Sequence, residues 1–231
     1  SGQNMRKRQS PKRKQSKKQE PAQKPTVEIQ EVSYETSSIE EHAHVLFKPN
    51  YGPQTEFLAA SEREVLYGGS AGGGKSYAML ADPLRYMGHS QFSGLLVRHT
   101  TEELRELIFK SQELYPQIWP GIKWSERKMQ WTAPSGARLW MSYLDKDDDV
   151  LRYQGLAFSW IGFDELTQWA TPYAWNYMRS RLRSTAPDLP IFMRATTNPG
   201  GRGHQWVKKM FIDPAPYNRT FDATDIETGE V

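Results

Sequence analysis

Short apolar runs alternate with amphipathic stretches from residue 64 onward, and this alternation is typical of an α/β fold with a mostly parallel sheet. The apolar runs predict five strands, at residues 64–68, 94–98, 138–144, 159–163 and 191–196. Helical periodicity predicts four helices, at residues 75–87, 101–114, 172–182 and 204–211. Aromatic runs on either side of residues 133–136 predict a β-hairpin inserted into this pattern.

The glycine-rich turn after the first predicted strand has the sequence of a phosphate-binding loop. It fits the pattern G-x4-G-K-[ST] in full, through Gly69, Ser70, Ala71, Gly72, Gly73, Gly74, Lys75 and Ser76. Glycines let successive backbone N–H groups surround phosphate oxygens, and the helix that follows directs its positive end at them. We expect Lys75 to bind the β- and γ-phosphates of ATP and the Ser76 hydroxyl to bind Mg²⁺.

A pair of acids follows the apolar run at residues 159–163. Ligands of open α/β sheets bind at the carboxyl ends of the strands, where this pair falls. Asp164 is therefore predicted to ligate Mg²⁺, and Glu165 to orient and deprotonate the attacking water. The second acid favours an ATP-hydrolysing motor over a kinase or a small GTPase, because small GTPases position the water with Gln.

The N-terminal residues differ in charge from the rest of the chain. Residues 1–25 contain nine Lys or Arg and one acid, whereas the whole chain of 231 residues has a net charge of +3. A basic segment rich in Gln, Ser and Pro cannot bury enough apolar surface to fold alone. We expect residues 1–35 to form a disordered basic tail, of which residues 1–4 are a cloning remnant. The tail is either a nucleic-acid-binding arm or a solvated leader.

Composition narrows the class of protein further. The chain has no cysteine, which excludes disulfides and cysteine-ligated zinc. No apolar run approaches the roughly 20 residues of a membrane helix, so no membrane association is expected. We expect residues 36–215 to form one P-loop ATPase domain with a lead-in segment, and residues 216–231 to begin a C-terminal hairpin or linker.

Further motifs lie in order around the phosphate loop and the acidic pair. They are Pro53-Gln54-x-x-Phe57-Leu58, Leu95-Leu96-Val97-Arg98-His99-Thr100, Arg152-Tyr153-Gln154-Gly155-x-x-Phe158, Ser180-Arg181-Leu182-Arg183, Thr196-Thr197-Asn198-Pro199-Gly200 and Gly203-His204-x-Trp206-Val207. Over roughly residues 50–215, the chain resembles the ATPase domain of large terminase subunits, the DNA-packaging motors of tailed bacteriophages. The resemblance implies a P-loop fold of the RecA-like (ASCE) type, with a mostly parallel sheet flanked by helices.

The resemblance also assigns roles to individual residues. It implies that Gln54 contacts adenine and that Thr196, Thr197 and Asn198 form a coupling motif. A Thr/Asn cluster at the end of a strand can hydrogen-bond the γ-phosphate or the attacking water, and loss of phosphate would then move the attached segment. Without the resemblance, an ordinary polar turn at Asn198-Pro199-Gly200 explains the same residues.

The phosphate loop departs from the family in one respect. Some terminases carry an Arg inside this loop, and here there is none. A transition-state Arg must then come from elsewhere, including a neighbouring subunit. The candidates are Arg98, Arg152, Arg181 and Arg183, with Arg98 and Arg152 ranked first. In relatives with Arg-Gly before the acidic strand, Gln154 occupies the position of that Arg, so this assignment does not carry over.

The resemblance implies an ATPase that drives double-stranded viral DNA into a procapsid. It implies a homo-oligomeric ring with the portal protein and the small terminase subunit as partners, in the cytoplasm of the bacterial host at the portal vertex. The family's C-terminal nuclease domain is not expected in a chain of this length. The residues alone leave open a RecA-like helicase or translocase, which would unwind a duplex, and a DNA-binding module gated by nucleotide without turnover. A P-loop kinase would need an acceptor site that the sequence does not show.

Overall fold

The computed structural model describes residues 57–68 and 74–214. Within them, seven strands form one sheet in the order β1-β7-β6-β2-β5-β4-β3. The strands are β1 Glu64–Tyr67, β2 Ser93–Arg98, β3 Lys123–Ser125, β4 Gln130–Thr132, β5 Arg138–Tyr143, β6 Trp160–Phe163 and β7 Phe192–Thr196. β1, β7, β6, β2 and β5 run parallel, and β4 and β3 continue the sheet antiparallel.

Within the described residues, three helices occupy connections between strands, and a short fourth helix follows the last strand. They are α1 Gly74–Ala81, α2 Thr101–Ile118, α3 Tyr173–Arg179 and the short α4 His204–Val207. Segments of 3-10 helix cover Asp82–Tyr86, Asp147–Tyr153 and Leu166–Gln168, and a π-helical turn covers Lys208–Ile212. The hydroxyl of Thr100 caps α2 by accepting a hydrogen bond from the Glu103 backbone N–H, which fixes where this helix begins.

Hydrophobic clusters cover both faces of the sheet, because successive residues of a strand point to opposite faces. Along β6, Trp160 belongs to the cluster with α1 and α2, whereas Ile161 and Phe163 belong to the cluster with α3 and α4. Gly162 faces α1, and a Cβ there would lie 2.9 Å from the Met79 sulfur and closer still to the Trp160 ring. Glycine thus lets the helix that follows the phosphate loop lie against the acidic strand.

The predicted α/β fold with a mostly parallel sheet is confirmed. Each of the five predicted strands is present as β1, β2, β5, β6 or β7, and the ends differ by at most one residue. The predicted hairpin is a three-stranded meander, since β3 adds to β4 and β5. No helix in the described part of the chain is long and apolar enough to cross a bilayer. The predicted tail, lead-in and C-terminal boundaries, at residues 35, 36, 215 and 216, lie outside the described residues.

The predicted helix ends were less accurate. The helix predicted at residues 75–87 ends at Ala81 and continues as 3-10 helix, because Pro83 lacks the N–H that an α-helix would need. The helix predicted at residues 101–114 extends to Ile118, with Pro116 in its last turn. The helix predicted at 172–182 covers only Tyr173–Arg179, and the one at 204–211 becomes α4 followed by the π-helical turn.

Candidate active site

The carboxyl ends of the parallel strands meet at one edge of the sheet, and the first turn of α1 faces this edge. β7 lies between β1, which leads toward the phosphate-loop sequence, and β6, which carries the acids. Lys75 Nζ donates a hydrogen bond to the backbone oxygen of Thr197 at 2.9 Å, and Ser76 Oγ donates one to Asp164 Oδ2 at 3.2 Å. Burial lowers the pKa of Lys75, and the charges of Glu165 and Asp164 offset part of this effect.

Asp164 lies at the centre of the site and is wholly buried. Its backbone N–H donates to the oxygen of Val97, which continues the pairing of β6 with β2. Arg98 donates to Asp164 Oδ2, and the hydroxyl of Thr196 donates to Oδ1. With Ser76 on the same Oδ2, both carboxylate oxygens point into a set of charged and hydroxyl groups. A hydroxyl and a carboxylate are the oxygen ligands that Mg²⁺ prefers, so Ser76 and Asp164 fit the predicted metal site.

Glu165 takes a left-handed backbone conformation, with φ 59° and ψ 60°. For a residue with a side chain this conformation costs about 1–2 kcal/mol, and it persists where the surroundings hold it. Its backbone N–H donates to Thr196 Oγ1 at 2.9 Å. Its carboxylate accepts hydrogen bonds from Asn198 Nδ2 at 3.2 Å on Oε1 and from Gln168 Nε2 at 2.6 Å on Oε2.

The charges around Glu165 shift its pKa in opposite directions. Burial raises its pKa most, Asp164 and Glu103 raise it further, and Arg98 and Lys75 oppose them. The Arg98 guanidinium lies 3.6 Å from Glu165 Oε2 and 3.9 Å from Glu103 Oε1. Burial alone would lower the pKa of Arg98, but Asp164 and Glu165 outweigh it and raise the pKa. The site therefore holds a buried arginine within a group of three acids.

The predicted residues divide into three groups by position. Lys75, Ser76, Arg98, Asp164 and Glu165 come together with all three residues of the predicted coupling motif. Thr196 contacts both acids, Thr197 accepts from Lys75, and Asn198 donates to Glu165. Gly74 begins α1, next to Lys75. The remaining predicted nucleotide contacts lie outside the described residues: Gln54, Gly69, Ser70, Ala71, Gly72 and Gly73.

The other candidate arginines lie away from the acidic pair. Arg152 belongs to the segment Asp147–Tyr153, donates to the backbone oxygens of Asp149 and Tyr143, and has a side chain that is 44% exposed. The backbone of Arg181 and Arg183 hydrogen-bonds to Phe158, before the amino end of β6. These two arginines therefore lie near the end of β6 opposite the acids, and a transition-state role for either of them stays a prediction.

Gln168 and Glu103 also belong to the site, although the sequence did not predict them. Gln168 Nε2 bridges Glu103 and Glu165, because it donates to Glu103 Oε1 at 2.7 Å as well as to Glu165. Glu103 sits in the first turn of α2, where an acid is expected simply to complement the helix dipole. Gln168 follows Glu165 by three residues, a spacing that brings the two side chains together only once the 3-10 turn Leu166–Gln168 has formed. The strand order that brings Glu103 near was not available from the sequence.

The fold and the site together define a P-loop nucleotide-binding domain, with a lysine and serine at the start of a helix and an acidic pair at the end of a neighbouring strand. The family model described as "Terminase large subunit, T4likevirus-type, N-terminal" matches residues 66–228. The chain belongs to this family. A comparison with curated protein sequences finds no match.

Similar solved structures come from bacteriophages. The N-terminal domain of the DNA packaging ATPase from bacteriophage phi29 is 18% identical with a TM-score of 0.53, over 74% of this chain and 92% of that one. The large terminase ATPase domain of Thermus phage P74-26 is 12% identical with a TM-score of 0.50, over 67% and 66%. A large terminase from a thermophilic bacteriophage, in complex with ADP, is 17% identical with a TM-score of 0.50, over 70% and 41%. The chain thus spans less than half of that ADP-bound protein.

Proposed function

We propose that this chain hydrolyses ATP and that the hydrolysis drives double-stranded viral DNA into a procapsid. The observation that carries the proposal is the convergence of Lys75, Ser76, Asp164 and Glu165 at one edge of the sheet, joined by the Thr196 hydroxyl. Membership of the terminase family and the likeness to packaging ATPases support the same function. The ADP bound to the terminase of the thermophilic bacteriophage supports a nucleotide as the ligand.

The groups at the site divide the work of phosphoryl transfer to water. Lys75 binds the β- and γ-phosphate oxygens, and the phosphate-loop residues 69–74 supply backbone N–H groups. Gln54 contacts the adenine. Ser76 and Asp164 would hold the Mg²⁺ that accompanies ATP, and the ion would neutralise phosphate charge. Thr196 fixes the positions of the two acids relative to each other. Its hydroxyl donates to the Asp164 side chain and accepts from the Glu165 backbone N–H.

Glu165 acts as the base. Its carboxylate accepts a proton from water as the water oxygen bonds to the γ-phosphorus and the bond to the β-phosphate oxygen breaks. Its raised pKa, caused first by burial, brings it nearer to the range of a useful base. In the nucleotide-bound state, Thr197 and Asn198 hydrogen-bond the γ-phosphate or the attacking water, and loss of the phosphate breaks those bonds. The segment after β7 would then shift, which couples hydrolysis to movement.

Arg98 and Arg152, the two arginines ranked first, differ in which subunit they can act on. Arg98 is buried against Asp164 and can stabilise charge only within its own subunit. Arg152 is exposed enough to reach the nucleotide of a neighbouring subunit, so a homo-oligomeric ring would complete the site. We propose that this ring docks on the portal protein at the procapsid vertex in the host cytoplasm and receives DNA from the small terminase subunit.

The test compares phosphate release by the wild type and Glu165→Ala, with and without duplex DNA, at a protein concentration that permits assembly. We expect turnover to fall on the order of 10²–10⁴-fold while nucleotide binding is retained. Glu106→Ala is the matched control, because this acid is 67% exposed on α2 and pairs with Lys110 instead of the site, and it should keep the turnover of the wild type. Equal turnover in wild type and Glu165→Ala would show that the acidic pair is not the catalytic centre.

A further inference from the structure

The turn that follows Glu165 accepts hydrogen bonds from the segment that follows β7. The turn consists of the 3-10 segment Leu166–Gln168 and Trp169. The Gly203 backbone N–H donates to the oxygen of Thr167 at 2.7 Å, and the Trp206 indole Nε1–H donates to the oxygen of Trp169 at 2.8 Å. The backbone carbonyls of Thr167 and Trp169 thus accept hydrogen bonds from residues that follow much later in the chain.

Two glycines make this contact possible. Gly201 has φ +94°, and a Cβ there would lie 2.7 Å from the oxygen of Thr167. A Cβ on Gly203 would lie 2.0 Å from the oxygen of Trp169 and 2.4 Å from Trp206 Nε1. Real Cβ atoms do not approach backbone oxygens so closely, so these two positions exclude any side chain. We call the arrangement of Gly201, Gly203 and Trp206 against the turn the clasp.

The clasp joins two segments that both carry residues of the active site. Thr167 Oγ1 also accepts a hydrogen bond at 3.1 Å from the hydroxyl of Thr197, in the predicted coupling motif. On the other side, Trp169 is anchored by its own indole N–H, which donates to the oxygen of Leu144 at 2.8 Å. The turn after Glu165 is therefore fixed at its backbone oxygens and at its side chains.

This fixation bears directly on the backbone of Glu165. A left-handed conformation in a residue with a side chain persists only where its surroundings impose it. Thr196 holds the N–H of Glu165 from one side, and the clasp holds the residues immediately after it. Without the clasp the turn could relax, and the carboxylate would leave the position from which it reaches the attacking water. Displacements of about 1 Å in such groups can cost on the order of 100-fold in rate.

We infer that Trp206, together with Gly201 and Gly203, positions Glu165 through the turn that follows it. The inference rests on the proposed role of Glu165 as the base. Trp206 is a positioning residue, since it acts through the turn, whose backbone oxygen at Trp169 accepts its indole hydrogen bond. Because α4 begins at His204, the clasp also ties the position of this helix to that of the catalytic carboxylate.

The test is Trp206→Phe in the full chain, which keeps an aromatic ring and removes the indole N–H. Trp119→Phe is the matched control, because Trp119 Nε1 donates to the backbone oxygen of Leu84 at 3.0 Å, in the hydrophobic cluster with α1 and α2 and away from the acids. We expect kcat for ATP to fall about 10-fold or more in Trp206→Phe with KM changed less than about twofold. Trp119→Phe should keep both constants, and both variants should lose a similar, small amount of thermal stability.

Gly203→Ala provides a second test by a different physical route. Its φ of −93° suits alanine, so the substitution acts only through the added Cβ, which enters the clasp. We expect the same fall in kcat with little change in KM. If Trp206→Phe and Gly203→Ala both keep kcat within about twofold of the wild type while remaining folded, the clasp does not position the base.

A double-mutant cycle shows whether Trp206 acts through Glu165. In the background of Glu165→Ala, phosphate release in single turnovers should be the same with Trp or Phe at position 206. A further fall as large as in the wild-type background would mean that Trp206 acts by another route, which overturns the inference. If Glu165→Ala itself retained wild-type turnover, the failure would instead lie with the proposed function.

Discussion

The described part of the chain contains two buried charged clusters, and they differ in how completely their polar atoms are paired. One is the active-site cluster, which consists of Arg98, Asp164, Glu165 and Glu103 together with Gln168 and Asn198, whose amides donate to Glu165. The other lies behind α1, where Asp82 contacts Arg85, Arg194 and the indole N–H of Trp160. We call this second group the Asp82 cluster.

In the Asp82 cluster almost every donor has a partner. Arg194 donates to the backbone oxygens of Ala60, Glu62, Arg63 and Met193, and only its Nε lacks a hydrogen bond. In the active-site cluster four buried atoms lack partners: Arg98 Nε, Glu103 Oε2, Gln168 Oε1 and Asn198 Oδ1. One of its residues also has a left-handed backbone. Fully paired clusters are typical of structural roles, whereas unused hydrogen-bonding capacity and a strained backbone are typical of functional sites.

The largest expected effect is on activity. Glu165→Gln keeps the shape of the side chain and its acceptor oxygen but removes the charge and the base. We expect ATP turnover to fall on the order of 10²–10⁴-fold, with the free energy of unfolding changed by less than about 1 kcal/mol. Steady-state phosphate release and urea denaturation measure the two quantities. A large loss of stability would show that this cluster, too, is mainly structural.

The opposite result is expected in the Asp82 cluster. Asp82 and Arg194 are both wholly buried, so Asp82→Ala leaves two arginines without their carboxylate. Breaking a buried pair in this way costs about 3–5 kcal/mol of stability. Turnover per folded molecule should remain near that of the wild type, because the cluster contacts neither Lys75 nor the acidic pair in the described residues. Chemical denaturation combined with turnover at low temperature separates the two effects.

The sequence predicted the active-site cluster better than the Asp82 cluster. Lys75, Ser76, Asp164 and the coupling residues are predictable because a phosphate loop and an acidic strand end require particular residue types at fixed places. Asp82 and Arg194 have no such signature: one lies after a helix and the other inside an apolar strand, and they meet only because α1 packs against β7. No sequence pattern therefore predicts their pairing.

Local geometry limited the prediction elsewhere. Pro83 could have indicated that α1 ends early, since proline removes a helical N–H. The left-handed backbone of Glu165 could not have been predicted, because it depends on Thr196 and on the clasp, which the fold brings together. Gln168 was overlooked for the same reason. Sequence patterns identify residues that a chemistry requires, and tertiary contacts decide which others support them.

A smaller effect is expected at the residue that joins the two acids. Thr196→Val keeps the shape of the side chain but removes the hydroxyl, which bonds Asp164 and the backbone N–H of Glu165. We expect turnover to fall about 10-fold and stability to fall by about 1–2 kcal/mol. Thr196→Ser, which keeps the hydroxyl, should restore most of the turnover. If Ser and Val behave alike in the turnover assay, the hydroxyl is not what aligns the acids.

At Arg152 the main expected effect is on activity. Its side chain is 44% exposed, pairs with Asp149 and the backbone oxygen of Tyr143, and lies over the rings of Tyr143 and Tyr153. Arg152→Ala should therefore change stability by less than about 1 kcal/mol. Under conditions in which a ring forms, turnover should fall, and mixing with Glu165→Ala subunits should restore part of it. That restoration requires Arg152 of a Glu165→Ala subunit to complete the active site of a neighbouring subunit that still has Glu165. No restoration in mixed rings would limit Arg152 to its own subunit.

The smallest expected effect measures the strain at Glu165. Glycine adopts a left-handed backbone without the steric cost that alanine incurs, although it loses more entropy on folding. Glu165→Gly should therefore be about 1 kcal/mol more stable to urea than Glu165→Ala, while both are inactive. At Asp164, where the backbone continues strand pairing, the same exchange should favour alanine. If glycine is the less stable residue at both positions, the left-handed backbone of Glu165 stores no strain, and the active-site cluster differs from the Asp82 cluster only in its unpaired atoms.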